Sequence, residues 1–170
     1  MQKISIPVKI FLWLVLLACM AILAKNILFK HAGDFNRSEM RRSFTAKGIK
    51  SRLAKANLEP FATIELFYYS RKLGPEYKVG NLGGNVIGFV PLGILFPLLF
   101  GWRRGWQTVV AVFLVSLGFE LTQLFFALGV FDVDDLMLNT AGGIIGYMIY
   151  WICRTIVRWK RRSMEPSSLA

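Results

Sequence analysis

The sequence predicts an all-α membrane protein: a bundle of about four transmembrane helices with a long, partly helical loop between the first and second. Three observations lead there. Of the 170 residues, 55% are hydrophobic, against about 45 to 50% in an ordinary soluble domain. Four apolar runs, at about 9–29, 82–100, 106–128 and 136–153, are long enough to cross a hydrocarbon core of about 30 Å at 1.5 Å rise per residue. The 31–80 segment between the first two far exceeds the usual connection, so it is expected to carry structure or function of its own.

Taken in order, the first element (1–30) opens with Lys3 and Lys9 ahead of "IFLWLVLLACMAILA", which also resembles a secretory signal, and "LLAC" at Leu16–Cys19 resembles a lipoprotein cleavage box. The apolar run nevertheless continues to Phe29 across a single Lys25. An uncleaved transmembrane helix is therefore expected. The 31–80 loop begins with a basic stretch, "RSEMRRSFTAKGIKSRLAKA", and continues as "NLEPFATIELFYYSRKLG". There Pro60 suits a first helical turn, Phe61, Ile64 and Tyr68 share a face, and Gly74 suits the end. This helix either lies at the lipid surface or packs as a cap on the bundle. A three-helix transmembrane core (81–155) follows, and a basic tail (156–170) closes the chain.

Four spans place both termini on one side, together with the "GWRRG" turn, and "GVFDVDD" on the other side with the long loop. Counted from residue 30 to 81, the long loop holds 11 of the 21 Lys and Arg, so a raw count does not orient the chain. Short loops and span flanks weigh most. There the basic turn (Arg103, Arg104) and basic tail oppose an acidic turn without Lys or Arg. Both termini are expected in the cytoplasm and the long loop outside. His31 is the sole histidine and is expected to face solvent or headgroups; Cys19 and Cys153 imply no disulfide framework. The net charge of +11 suits an anionic lipid surface, and no nucleic-acid partner is expected.

The polar residues inside the apolar runs carry the functional argument. Ser116, Glu120 and Gln123 stand at i, i+4 and i+7 of the third span, one face of a helix. An ionisable residue in a span marks a functional site by default, because a bare charge in lipid costs several kcal/mol. The structural alternative is a neutral Glu120 hydrogen-bonded to a neighbouring helix. Chain parity brings Asn81 and Asn85 of the second span, and Asp132, Asp134, Asp135 and Asn139 at the start of the fourth, to the same membrane face as Glu120. Any one aspartate could simply cap the fourth helix, with Asp134 or Asp135 the candidates. Gly84 with Gly88, and Gly142 with Gly146, are spaced as G-x-x-x-G, with Gly143 widening the second notch. They predict close packing of the second and fourth helices. Pro91 and Pro97 are expected to kink the second helix.

Four stretches, "NLEPF" (57–61), "NLGGNVIGFVPLG" (81–93), "SLGFELTQ" (116–123) and "FDVDDLMLNTAGGIIGY" (131–147), resemble the VanZ-like family of bacterial membrane proteins. The resemblance covers about Asn57 to Tyr150 and brings Asn57 into the candidate cluster. It departs from the family pattern at Glu59, more often Ile, and at Gly129–Val130, where Arg is usual. What it implies is a multi-span protein of the bacterial plasma membrane and cell envelope, in a family named for a member associated with resistance to the glycopeptide antibiotic teicoplanin. No catalytic residues come with it.

Two functions follow. One is a non-enzymatic envelope protein that engages a lipid-linked cell-wall precursor or a glycopeptide at its outer face. The other is an enzyme acting on an isoprenoid phosphate through Mg²⁺ or Ca²⁺, with Glu120, Asp132 and Asp135 as candidate metal ligands, since hard cations prefer oxygen donors.

Overall fold

The computed structural model describes residues 5–28, 45–70 and 74–164. His31, Lys3 and residues 37–44 of the basic stretch lie outside them. Among the described residues six helices follow in order: α1 (Ile6–Leu28), α2 (Ala46–Leu53), α3 (Ala62–Tyr69), α4 (Pro75–Phe100), α5 (Gly105–Phe126) and α6 (Val133–Met164). Four of them, α1, α4, α5 and α6, are long and apolar enough to cross a membrane.

Helix ends follow the local chemistry. Gly101 takes the left-handed conformation (φ 68°) and stops α4, a conformation that glycine adopts without a Cβ clash. Pro91 and Pro97 lie inside α4, which continues through both rather than breaking; neighbouring helices in a bundle can compensate for the lost backbone donors. The sequence places Gly74 at the end of the loop helix, and the structure does not. That helix stops at Tyr69, and Gly74 instead precedes α4, with Pro75 in its first turn. Pro60 likewise falls before α3, whose leading residue Phe61 is left-handed (φ 71°). The last helix runs beyond the apolar stretch to Met164, because the basic residues that follow are good helix formers.

At the centre α6 lies along α4, with α5 against α6 and α1 more lightly on α4 and α5. Glycine permits the closest contact. A Cβ on Gly142 would fall 2.1 Å from the Val86 carbonyl oxygen, and one on Gly146 2.1 Å from that of Val90. Gly93 is the α4 counterpart, where a Cβ would meet the Gly143 oxygen at 2.2 Å. The sequence pattern thus identified the α6 side of this seam but not the α4 side. Gly84 has nothing within 4 Å of its Cβ position, and Gly88 faces Leu23 of α1. A core of Phe89, Leu92, Val112 and Phe119 fills the bundle, with Phe89 and Phe119 edge to face at 6.4 Å. Trp151, Ile152 and Ile156 are exposed and face lipid, where an apolar surface needs no protein partner.

The loop helices sit at the end of the bundle where α5 ends and α6 begins. Thr45 caps α2 by accepting from the Gly48 N–H at 3.1 Å. From α2, Arg52 donates to the carbonyls of Leu124 (2.5 Å) and Phe125 (3.4 Å), satisfying acceptors that the end of α5 leaves open. On α3 only Phe67 is buried, whereas Tyr68 and Tyr69 are exposed. The expected Phe61–Ile64–Tyr68 face is therefore not the packing face.

Candidate functional site

The carboxylates that the sequence singles out divide by geometry into a clamp and a cleft. The clamp ties the loop to the start of α6. Asn57 forms a parallel bridge with Asp132, its N–H donating to the Phe131 oxygen at 2.9 Å and its own oxygen accepting from the Val133 N–H at 3.0 Å. Its side-chain amide donates to Asp132 Oδ1 at 2.8 Å and to Thr63 Oγ1 at 3.0 Å. Thr63 in turn donates its hydroxyl to Asp132 Oδ2 at 2.6 Å. Asp132 Oδ1 also accepts from the Asp134 N–H at 2.8 Å, which is how the residue before a helix caps it. The cap of α6 is therefore Asp132, not Asp134 or Asp135.

Asp134 caps a different helix. Its carboxylate is fully buried and accepts from the backbone N–H groups of Phe61 (2.5 Å), Thr63 (2.7 Å) and Ile64 (3.1 Å). Phe61 supplies no side-chain cap of its own. A carboxylate from a transmembrane segment thus occupies the positive end of α3, where exposed N–H groups and the helix dipole favour negative charge.

Glu120 joins the clamp from below. It is fully buried, and its Oε2 accepts from the Asp132 N–H at 2.9 Å, so the glutamate within the third span meets the start of the fourth helix. One turn away on the same face, Ser116 Oγ accepts from Asn139 Nδ2 at 2.8 Å. This bond joins α5 to α6 inside the core, where an unpaired amide would be costly. The predicted face of Ser116, Glu120 and Gln123 is buried as a unit.

The cleft lies on the other side of the same end. Asn85 donates through Nδ2 to Asp135 Oδ1 in a short contact. With Asn81, Gln123 and Asn26 they line a cavity of about 370 Å³ between α1 and α4, whose deeper wall is Cys19, Leu23, Phe89 and Pro91. Gln123 holds one edge by donating to the Ile27 carbonyl at 2.9 Å. Gly129 packs on the Gln123 side chain, where a Cβ would come within 3.1 Å of its Cδ, so glycine at this position gives Gln123 room. Sequence reasoning missed Asn26, Thr63 and Arg52. Asn26 had a signal, being a polar residue at the end of an apolar run.

The donor set does not fit a resident Mg²⁺ or Ca²⁺. Both oxygens of Asp132 and of Asp134 accept from protein donors, and among the described residues no group of three or more His, Cys, Asp or Glu is placed to hold a metal ion. Glu120, Asp132 and Asp135 are not a ligand triad: the first two meet in the clamp, the third in the cleft.

Four apolar spans, a helical loop docked on one end and a polar face beneath it define a multi-pass helical membrane protein. The family model described as VanZ/LLP1 matches residues 11–154, and the chain belongs to that family. The match reaches back through α1, beyond the stretches that carry the resemblance in sequence. Over 99 residues the chain is 32% identical to "Protein VanZ" of Enterococcus faecium, covering 55% of this chain and 62% of that protein, less than two thirds of its length. No solved structure matches the chain.

Proposed function

We propose that this protein is an envelope protein of the bacterial plasma membrane that lowers susceptibility to teicoplanin-type glycopeptides, acting through the cleft at its loop-side face. The single observation that carries the reading is that cleft: Asn81, Asn85, Gln123 and Asp135 line a cavity of about 370 Å³ in a chain of this family. Pockets of about 300 to 1,000 Å³ with a few convergent polar groups are the usual size of a ligand site. The lipid-linked cell-wall precursor and the glycopeptide are the partner classes that such a position serves. The basic turn and tail against an acidic, Lys- and Arg-free 129–135 turn support cytoplasmic termini and an outward-facing loop. The loop-side cleft is then on the side from which a glycopeptide arrives.

The test is expression in a glycopeptide-susceptible Gram-positive host, comparing teicoplanin susceptibility with and without the protein and its Asp135→Ala and Glu120→Ala variants. Wild type should raise the inhibitory concentration, and both variants should lose the effect while still inserting in the membrane. An unchanged inhibitory concentration with wild type would sink the resistance reading. Full effect in both variants would reduce the polar residues to structural roles.

A further inference from the structure

We infer that α3 is sunk into the edge of the bilayer, with its Ala62, Leu66 and Tyr69 flank against the phospholipid of the loop-side leaflet. Height along the bundle is the first argument. Glu120 lies six residues before Phe126, the last residue of α5, and so about 9 Å short of that end at 1.5 Å rise. There it receives the Asp132 N–H, and Asp134, two residues further on, caps α3. Asp135 meets Asn85 of α4, five residues inside the apolar stretch that begins at Gly80, or about 7.5 Å. The start of α3 is thus held within the height of the apolar spans and not above their ends.

The backbone of this segment is closed to the degree that such a depth requires. Asn57 pairs with the Phe131 oxygen and the Val133 N–H. The N–H groups of Glu59, Ala62 and Glu65 donate to Asn57 Oδ1 (3.2 Å), the Glu59 oxygen (3.3 Å) and the Phe61 oxygen (2.8 Å), and Asp134 accepts from Phe61, Thr63 and Ile64. Pro60 has no N–H to place. In water the first turn of a helix can leave its donors to solvent, whereas lipid offers no acceptor for them. The side chains divide α3 accordingly. Phe67 is buried, and Ala62, Leu66 and Tyr69 stand at i, i+4 and i+7 on the adjoining flank, with Leu66 64% and Tyr69 75% exposed. That flank carries no charge; Glu65, also exposed, projects about 100° round the helix from Leu66. Although α3 lies against α4 and α6, neither covers this flank. An apolar stripe at that height meets acyl chains, and Tyr69, at the end from which the chain returns to α4, can hold its ring in the apolar layer and its hydroxyl among headgroups. On α2, which is tied to the last carbonyls of α5, the exposed Lys47 and Lys50 suit the phosphates of the same boundary.

This placement stands apart from the proposed function and holds whichever way the chain faces. The experiment reconstitutes the full chain, with Cys19→Ala and Cys153→Ala, in vesicles of phosphatidylcholine and phosphatidylglycerol. One nitroxide at a time is attached at Leu66→Cys, Tyr69→Cys, Lys50→Cys or Ile145→Cys, the last on the exposed apolar face of α6. Leu66 and Tyr69 are exposed, so neither substitution removes a core contact and each gives a reading independent of the other. Power saturation then reads collisions with oxygen, which concentrates in hydrocarbon, and with a polar nickel complex equilibrated on both sides of the membrane. The oxygen-to-nickel ratio at Leu66 should approach that at Ile145 and exceed that at Lys50 about tenfold, the scale on which an apolar phase excludes a polar solute. Tyr69 should fall between. Equal ratios at Leu66 and Lys50 put the flank in water, exclusion of both reagents at Leu66 puts it under protein, and dipolar broadening between labels puts a second copy on it. Each of these results overturns the inference.

Discussion

Replacing Asp134 by alanine tests the central structural claim, that a carboxylate on the fourth span holds the loop helix in place. The side chain is fully buried and accepts from three backbone N–H groups at the start of α3. An ordinary cap is worth about 1 kcal/mol, and a hydrogen bond to a charged group about 1.5–3 kcal/mol net. Three such bonds do not add fully, since water can reach part of the freed helix end. A loss of about 2–4 kcal/mol in the local stability of α3 is the resulting estimate. At about 1.4 kcal/mol per factor of ten, the amides of α3 should exchange with solvent deuterium about 30-fold to several hundredfold faster. Hydrogen–deuterium exchange on the reconstituted protein reads this directly, with the α4–α6 seam as an internal reference that should not change. Asp135→Ala, whose side chain meets Asn85 instead, should leave α3 untouched. Exchange of α3 within threefold of wild type in Asp134→Ala would falsify the capping role.

Two further predictions probe the helix contacts. Gly146→Ala places a methyl 2.1 Å from the Val90 oxygen and should destabilise the bundle by about 1–3 kcal/mol or more, whereas Gly84→Ala, facing open space, should leave the melting temperature unchanged; a similar loss in both would show that the seam is misassigned. Ser116→Ala leaves the buried Asn139 amide without its acceptor and should cost about 1–3 kcal/mol. Adding Asn139→Leu should recover most of that loss in a thermal melt, and no recovery would mean that Asn139 does more than answer Ser116.

The polar end of the bundle was legible because it depends only on the number of spans: with four crossings, residues at 81–85, 116–123 and 132–139 must share one face, and they do. What each residue does there was not legible. Asp134 and its partners Phe61 and Thr63 are separated by 73 and 71 positions, and spacing along the chain says nothing of such a meeting. Three aspartates in four positions read as one acidic site; in the fold they turn to α6, to α3 and to the cleft. The glycines give the same lesson. Gly84–Gly88 and Gly142–Gly146 have identical spacing, yet one pair borders a cleft and the other seats a neighbouring backbone. Period reveals a small-residue face, and only the placement of helices decides whether anything comes to fill it.

The clamp between Asn57 and Asp132 also constrains how the protein is made. The residues that anchor the loop leave the ribosome before α4 and α5 exist, while their partners arrive only with α6. A nascent chain halted after α5 has an α3 with no anion at its N-terminus and an α4 without the glycines of α6 to lie against. Assembly of the loop-side end must wait for the last span, so this end of the bundle is a late product of its synthesis.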